Sequence, residues 1–425
     1  METVMRFFLT QDLTARAGMH FLDSDDVYLF ATSSDFIATV DTLSFQVLEL
    51  IASKKNSDDI RNILGLSEEE ATNFFDCLEA EGLISRHEHD GTLHVQTSCP
   101  GSRPIEQVIL VLTDKCNLSC SFCYRGSTPS CDNTMAEQDV FALIPIINAL
   151  GLVELTLSGG EPLLVPYLED FYTELKKYRF RVNLQTNLTL LDKWVPFFTA
   201  VGFPSSITTS CDVFSGDGHE YRRIKSNLQI CVDLGIRVAV NMMVQPRAIT
   251  KADFKRLFEE LYALELPQIS IGCPMPSNNF DKSCFLEGLE WASDVVRMKD
   301  QVTTQPDVTM KTSCVSNHHL VCGAGDYLCV IQNGLEVLPC AALPQYALPL
   351  HSPEEFSGLW SDEKTFAPFR NPAALLGNCV DCDRFLSCRG GCKARAYYVS
   401  GSLGSPDAWN CAIFGKSCDH LLFPE

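Results

Sequence analysis

Three cysteines in the middle of the chain, Cys116, Cys120 and Cys123, are close enough in sequence for one loop to carry them all. A second group lies nearer the C-terminus, at Cys322, Cys340, Cys379, Cys382, Cys388, Cys392 and Cys411. Thiolates bind soft iron and zinc ions well, so clustered cysteines in a reducing compartment are more often metal ligands than disulfides. With 20 cysteines in 425 residues and no recognisable export signal, the sequence favours metal or cluster binding.

The central motif has the spacing Cys-x3-Cys-x2-Cys. Three thiolates on one loop can hold three irons of a [4Fe-4S] cube and leave the fourth iron open. The amino and carboxylate groups of S-adenosylmethionine can chelate that open iron. A structural zinc site is the competing interpretation, but such sites normally have four ligands, and Cys131 is the one nearby candidate for the fourth.

Six short apolar or β-branched segments, separated by helix-length stretches, follow residue 105. They are Val108–Leu112, Val153–Leu157, Arg181–Leu184, Ser206–Thr209, Val238–Val244 and Ile269–Ile271. This alternation predicts an α/β fold in which a parallel sheet, open or closed into a barrel, has helical crossovers. Sites in such folds lie at the carboxyl ends of the strands, and the cysteine motif follows the first predicted strand.

The cysteine spacing, with Phe122 beside the last cysteine, resembles the radical S-adenosylmethionine (radical SAM) superfamily. The resemblance implies a partial (β/α)6 TIM-like barrel over residues 105–277. It also implies that the three cysteines are catalytic cluster ligands, and that bound S-adenosylmethionine is cleaved reductively to a 5′-deoxyadenosyl radical.

Cofactor contacts follow from the same resemblance. They are Phe122, Gly159, Gly160, Glu161, Gln185, Asn187, Ser210, Asp212 and Arg223. Gly159-Gly160-Glu161 resembles the family's GGE motif, whose backbone meets the cofactor's amino group. Arg223, or its neighbour Arg222, is expected to pair with the cofactor carboxylate, a task that suits a planar guanidinium. Asn241 is a weaker candidate.

The C-terminal cysteines resemble the SPASM extension of radical SAM enzymes, which carries two auxiliary [4Fe-4S] clusters. The resemblance assigns Cys322, Cys340 and Cys392 to the first auxiliary cluster, with Cys314 as a possible fourth ligand, and Cys379, Cys382, Cys388 and Cys411 to the second. Three [4Fe-4S] clusters are therefore expected. Two zinc sites remain the alternative, since Cys-x2-Cys suits zinc equally well.

The regular alternation of strand-like and helix-length segments ends after Pro274. Residues 278–425 are therefore expected to form a bridging region and a cysteine-rich SPASM domain distinct from the barrel. Their clearest regular element is a predicted hairpin, Tyr327–Ile331 and Glu336–Leu338, across the Asn333-Gly334 turn.

Residues 1–96 show two strand segments followed by three helical ones, with caps expected at Thr42, Ser57 and Ser67. Leu83-Ile84 and Leu93–Val95 are expected to form the two strands of a wing. The pattern resembles the winged-helix domain that recognises leader peptides in enzymes modifying ribosomally made peptides, binding them as an added strand. A generic winged helix that packs on the catalytic domain or binds DNA is the alternative. Residues 97–104 are expected to form a linker.

The net charge of the chain restricts the classes of partner that it is expected to bind. The net charge of −21, and a third predicted helix without Lys or Arg, disfavour nucleic acid and anionic membranes. No apolar run reaches the roughly 18 residues needed to span a bilayer. We therefore expect a cytoplasmic protein.

The resemblance favours an oxidoreductase that acts on a peptide C–H bond. Auxiliary clusters imply that an electron leaves the substrate radical, so the expected product is an oxidative crosslink, thioether or carbon–carbon, in a precursor peptide. A flavodoxin or ferredoxin is the expected reducing partner. The alternatives are a sulfatase-type maturase that oxidises Cys or Ser to formylglycine, and a non-enzymatic iron–sulfur or zinc scaffold.

Overall fold

The computed structural model of the chain describes residues 5–17, 27–32, 37–97, 101–120, 123–210, 219–273, 282–300, 308–310 and 322–416. The predicted site residues Phe122, Asp212 and Cys314 lie outside these ranges. The chain divides into two compact units. The first comprises Met1–Glu106 with the short segments Ile147–Val153 and Tyr178–Arg181, and the second comprises the rest of the chain.

The first unit contains β1 (Phe8–Leu9), β2 (Leu13–Ala17), β3 (Val27–Phe30), β4 (Ile37–Val40), α1 (Thr42–Ala52), α2 (Ser57–Leu64), α3 (Glu68–Ala80), β5 (Ile84–Ser85) and β6 (Leu93–Thr97). Its main sheet has the order β4-β3-β2-β6. Antiparallel pairing joins β4 to β3 and β3 to β2, and β6 runs parallel to β2. Strand β2 buries Leu13 and Ala15 on one face, which packs with Val47, Leu48 and Ile51 of α1 in a common core.

The predicted wing is wrong. Ile84 pairs with Leu9 of β1, whereas Leu93 pairs with Leu13 of β2, so the two expected wing strands do not pair with each other. Strand β2 is the reason, because it occupies the position beside β3 and offers its other edge to β6. Its sequence, Leu-Thr-Ala-Arg-Ala, holds one large apolar residue and gave no strand signal.

Helix starts were predicted closely. Ser67 and Glu70 form the expected capping box at α3, with each side chain accepting the other residue's backbone N–H. The predicted caps at Thr42 and Ser57 are wrong by one residue, because Asp41 and Asn56 cap α1 and α2. Asp and Asn cap helices at least as well as Ser and better than Thr.

From residue 107 onward, strands and helices alternate. The elements are β7 (Gln107–Thr113), α4 (Glu137–Ala149), β8 (Glu154–Gly159), α5 (Leu168–Leu175), β9 (Arg181–Gln185), α6 (Leu191–Val201), β10 (Ser206–Ser210), α7 (His219–Asp233), β11 (Val238–Met243), α8 (Lys251–Tyr262), β12 (Gln268–Gly272), α9 (Lys282–Leu289), α10 (Ala292–Asp300) and β13 (Val308–Met310). All six predicted strands are present. Strands β9 to β13 pair in parallel, as do β7 and β8, which confirms the predicted α/β fold with a parallel sheet.

The remaining elements are β14 (Leu328–Gln332), β15 (Glu336–Leu338), β16 (Leu348–Pro349), α11 (Phe356–Ser361), α12 (Pro372–Leu376), α13 (Phe385–Cys388), α14 (Lys393–Ser400) and α15 (Ala408–Ile413). The predicted hairpin is formed by β14 and β15, and Gly334 in its turn has a φ of +79°. Strand β14 also pairs in parallel with β7, which extends the sheet to ten strands. The hairpin therefore continues the main sheet, which the fading alternation after Pro274 did not indicate. No helix in the described ranges is long and apolar enough to cross a membrane.

Candidate active site

The loop after β7 carries the three central cysteines. Cys116 is buried, and Cys120 and Cys123 are partly exposed. The backbone carbonyl of Thr128 accepts the N–H of Cys116 at 3.1 Å, and the carbonyl of Cys120 accepts the N–H of Cys123 at 3.1 Å. The described residues of this loop, at the carboxyl end of β7, therefore include all three cysteines, where the sequence predicted them.

Two asparagines tie this loop to the end of β9. The side-chain amide of Asn187 donates to the Cys116 sulfur at 3.6 Å and to the side-chain oxygen of Asn117 at 2.8 Å. Asn117 in turn donates to the Thr189 hydroxyl at 2.8 Å. Asn187, a predicted cofactor contact, thus lies beside a predicted cluster ligand. Asn117 and Thr189 were not predicted, since no spacing in the sequence relates them.

Gly159, which ends β8, and Gly160, which follows it, lie directly against the end of β7 and the start of the cysteine loop. The N–H of Gly160 donates to the carbonyl of Thr113 at 2.7 Å, and the N–H of Glu161 donates to the carbonyl of Lys115 at 2.9 Å. A Cβ on Gly159 would lie 2.4 Å from the Thr113 carbonyl oxygen, and one on Gly160 would lie 2.4 Å from the Lys115 carbonyl oxygen. Glycine is therefore required for the approach of two protein backbones, whatever ligand also lies there.

The Glu161 side chain is fully buried. Its carboxylate accepts hydrogen bonds from the Thr186 hydroxyl at 2.7 Å, the Asn187 N–H at 2.8 Å and the Leu163 N–H at 3.0 Å. Burial raises the pKa of Glu161 to about 7, although these donors act in the opposite direction. The carboxylate is engaged inside the protein, which leaves the backbone of this motif as the part available to a cofactor.

Burial is also the main cause that raises the pKa of the Cys116 thiol, while the Leu118 N–H and the Asn187 amide lower it. A bound cation or cluster would favour the thiolate at this position.

Other predicted contacts lie at neighbouring strand ends. Gln185, at the end of β9, accepts a hydrogen bond from the Ser158 hydroxyl at 3.0 Å. Ser210 ends β10, is exposed, and pairs in register with the buried Asn241 of β11. Parallel pairing thus brings the ends of these strands to one edge of the sheet. Among the described residues, Arg223 forms no hydrogen bond or ion pair with this group.

Arg223 lies on α7, where its guanidinium pairs with Asp192 of α6 at 3.3 Å. Both side chains are 44% exposed. The arginine therefore already has a carboxylate partner, and its contact with the cofactor carboxylate stays a prediction.

Several buried polar atoms of the cysteine loop and of the neighbouring strand β10 have no hydrogen-bond partner among the described residues. They include Nε of Arg125, the hydroxyl of Ser127 and the hydroxyl of Thr209, which precedes Ser210. Other nitrogens of Arg125 donate to Asp114 at 2.7 Å and to Gln332 at 3.3 Å. Soft thiol donors beside unsatisfied polar atoms fit an iron–sulfur cluster with a polar, nucleoside-bearing cofactor.

The C-terminal cysteines lie on short helices and turns of the same unit. Cys322 and Cys392 are buried, whereas Cys340, Cys379, Cys382, Cys388 and Cys411 are partly exposed. The Asn410 amide donates to the Cys388 sulfur at 3.6 Å, and the carboxylate of Asp407 accepts the N–H of Cys392 at 2.8 Å. Burial, the largest cause, raises the pKa of Cys388, and the nearby Cys379 adds to it.

Within the described ranges, no three Cys, His, Asp or Glu side chains are close enough to share a single metal ion. A cube is larger than an ion and binds each thiolate at a separate iron, so its ligands stand further apart.

The backbone contact at Gly160 can be tested with Gly160→Ala. The added Cβ must displace the Lys115 carbonyl on the cysteine loop, so we expect a loss of stability of about 3 kcal/mol and a loss of bound iron. Gly358→Ala is the matched control, since nothing lies within 4 Å of a Cβ there. Denaturant unfolding and iron analysis measure both effects, and equal results for the two variants would contradict the steric argument.

The buried Glu161 carboxyl should make stability depend on pH. Its folded pKa of about 7 exceeds its ordinary value of 4.5, so its contribution is complete at low pH and is lost as the pH rises through 7. We expect this group to lower the free energy of unfolding by about 3 kcal/mol between pH 4.5 and pH 7.5. Urea unfolding of the wild type and of Glu161→Gln across this pH range measures the difference. If the free energies of unfolding of the two proteins changed with pH in parallel, the pKa of Glu161 would not be raised by folding. Exposed Glu169→Gln is the control.

Comparisons with known proteins agree with this geometry. Residues 110–261 match the family model of the radical SAM superfamily. A probable GTP 3′,8-cyclase of Methanothermobacter thermautotrophicus is 27% identical over 161 residues, which cover 36% of this chain and 52% of the cyclase. The chain therefore spans about half the length of that relative.

Two solved structures share the fold. Streptococcus suis SuiB bound to precursor peptide SuiA aligns with a TM-score of 0.63 and 12% identity, over 95% of this chain and 99% of SuiB. Native anSMEcpe with bound AdoMet and Cp18Cys peptide aligns with a TM-score of 0.52 and 15% identity, over 73% of this chain and 95% of that protein. Residues 110–261, which match the radical SAM family model, therefore lie within a larger α/β fold.

Proposed function

We propose that this chain is a radical SAM enzyme that abstracts a hydrogen atom from a ribosomally made precursor peptide and thereby installs an oxidative crosslink, thioether or carbon–carbon. The observation that carries the proposal is the cysteine loop after β7, which Gly160 and Asn187 fix at the carboxyl edge of the sheet. The match of residues 110–261 to the radical SAM superfamily supports it.

The residues of the chain have distinct roles in this proposal. Cys116, Cys120 and Cys123 hold a [4Fe-4S] cluster, and the backbone at Gly160 with the side chain of Asn187 orients S-adenosylmethionine beside it. Bound there, the cluster and cofactor supply a 5′-deoxyadenosyl radical. The buried Glu161 carboxylate holds the loops after β8 and β9 together, so it positions other groups rather than touching the cofactor with its side chain.

The strand arrangement of the first unit supports the proposal that the substrate is a peptide. Its four-stranded sheet ends in β4 on one side and β6 on the other, and neither has a second partner among the described strands. Peptides commonly bind exposed sheet edges by adding a strand. We assign leader recognition to residues 1–96, and the alignment of SuiB, a protein crystallised with a precursor peptide, includes nearly the whole chain.

The C-terminal cysteines hold two auxiliary [4Fe-4S] clusters in this proposal. The proposed external reductant is a protein of the flavodoxin or ferredoxin type. A sulfatase-type maturase is the second candidate, because anSMEcpe shares the fold and was crystallised with a peptide. Its alignment leaves out about a quarter of this chain, whereas that of SuiB leaves out 5%. This difference in coverage favours the precursor-peptide function.

The cluster assignment can be tested with Cys120→Ala in anaerobically purified protein. We expect the wild type to contain about twelve irons per chain and to release 5′-deoxyadenosine under reduction. The variant should lose about four irons and all 5′-deoxyadenosine release. Cys131→Ala is the matched control on the same loop and should behave as the wild type. Zinc in place of iron, or equal losses in both variants, would contradict the assignment.

Leader binding can be tested at β4, where Ala38 and Thr39 face Leu29 and Tyr28 of β3. Successive N–H groups of an edge strand point alternately toward its partner and away from it. Proline at the outward position removes the N–H that an added strand needs and leaves the pairing with β3 intact. One of Ala38→Pro and Thr39→Pro should therefore keep its stability and its basal cleavage of S-adenosylmethionine, yet lose peptide affinity by about tenfold or more.

Fluorescence anisotropy with a labelled synthetic candidate precursor peptide measures this affinity. Wild-type affinity in both variants would show that β4 is not the binding edge.

A further inference from the structure

Lys393 is a buried cation without a partner in the described part of the chain. Its side chain is 0% exposed, and its ammonium makes no hydrogen bond to any described residue. A buried ammonium costs several kcal/mol unless an anion compensates it. The fold keeps this charge buried, so an anion is expected near it.

The ammonium lies over the segment that joins Cys388 to Cys392. A Cβ built on Gly390 would lie 3.2 Å from Lys393 Nζ and 3.1 Å from a methyl group of Leu376. Gly390 has a φ of +77°, so the chain turns sharply there and the lysine folds back over the turn. Cys388 and Cys392 are the residues that the proposed function assigns to different auxiliary clusters, and Lys393 lies beside the segment between them.

The buried carboxylate of Asp407, beside the same segment, is already engaged. Asp407 pairs with the buried guanidinium of Arg395 at 2.6 Å and also accepts the N–H of Cys392 at 2.8 Å. Asp407 and Arg395 therefore compensate each other and leave the charge of Lys393 unmatched. A second buried donor, the indole N–H of Trp409, also lacks an acceptor among the described residues, and it lies two positions before the predicted ligand Cys411.

We infer that the Lys393 ammonium is the counter-charge of an auxiliary cluster with a ligand on this segment, and that it raises the reduction potential of that cluster. The inference rests on the cluster assignment of the proposed function. A [4Fe-4S] cube with thiolate ligands is an anion whose negative charge grows on reduction. A buried cation beside it stabilises the reduced form more than the oxidised form, because the attraction is weakly screened there. Such a cluster accepts an electron from a substrate radical more readily.

The test is an EPR-monitored redox titration of anaerobically purified full-length protein, comparing the wild type with Lys393→Met and Lys393→Arg. At a fixed potential, Lys393→Met should lower the ratio of reduced to oxidised auxiliary cluster at least about tenfold, which is 59 mV for a one-electron couple. Lys393→Arg keeps the charge and should stay close to the wild type. Lys416→Met is the control, since Lys416 is a partly exposed lysine that pairs with Asp383 near Cys382.

The outcomes separate the inference from the proposed function. A wild type without auxiliary-cluster signals overturns the cluster assignment. A wild type with those signals, and with the same potential as Lys393→Met, overturns the role of Lys393 alone and points to a carboxylate elsewhere in the chain as its partner. Should Lys393→Met fail to incorporate the auxiliary clusters, Lys393→Gln replaces it, because the amide keeps an N–H donor without the charge. A wild-type potential in that variant also overturns the inference.

Discussion

The close contact between the backbones that follow β7 and β8 is the constraint on which the rest of the site depends. Two hydrogen bonds, from Gly160 to Thr113 and from Glu161 to Lys115, join these loops, and no side chain fits between them. These contacts hold the start of the loop that carries Cys116 against the end of β8. A site that must hold a large inorganic group needs such fixed ligands, because binding would otherwise have to order the loop as well.

The sequence predicted the parallel sheet well and the first unit less well. Central parallel strands such as β7 are covered on both faces. Their sequences are therefore continuous apolar runs, which are easy to recognise. Strand β2 holds alanine, threonine and a buried Arg16 whose guanidinium reaches the carbonyl of Leu152 at 2.9 Å. A polar side chain whose hydrogen-bond partner lies so far away in sequence gives no local signal. Missing β2 led directly to the wrong pairing of Ile84 and Leu93.

The three cysteines of the candidate site could be placed on one loop from the sequence because they lie within eight residues of one another. The residues that orient that loop could not be predicted in this way. Asn117 contacts Asn187 across 70 positions, and Arg125 contacts Gln332 across 207. Such contacts depend on the folded sheet, and nothing in the intervening sequence indicates them. Glu161 was predicted from its motif, but its burial and its three donors were not, because motif resemblance says nothing about solvent exposure.

The pairing of β7 with β14 has a consequence for how the protein is made. Gln107 lies opposite Leu328, so the strand that leads into the cysteine loop gains its second neighbour only after about 220 further residues have been synthesised. During translation this strand has one exposed edge, and such edges favour aggregation. Completion of the sheet beneath the three central cysteines therefore depends on the C-terminal third of the chain, although those cysteines lie far upstream.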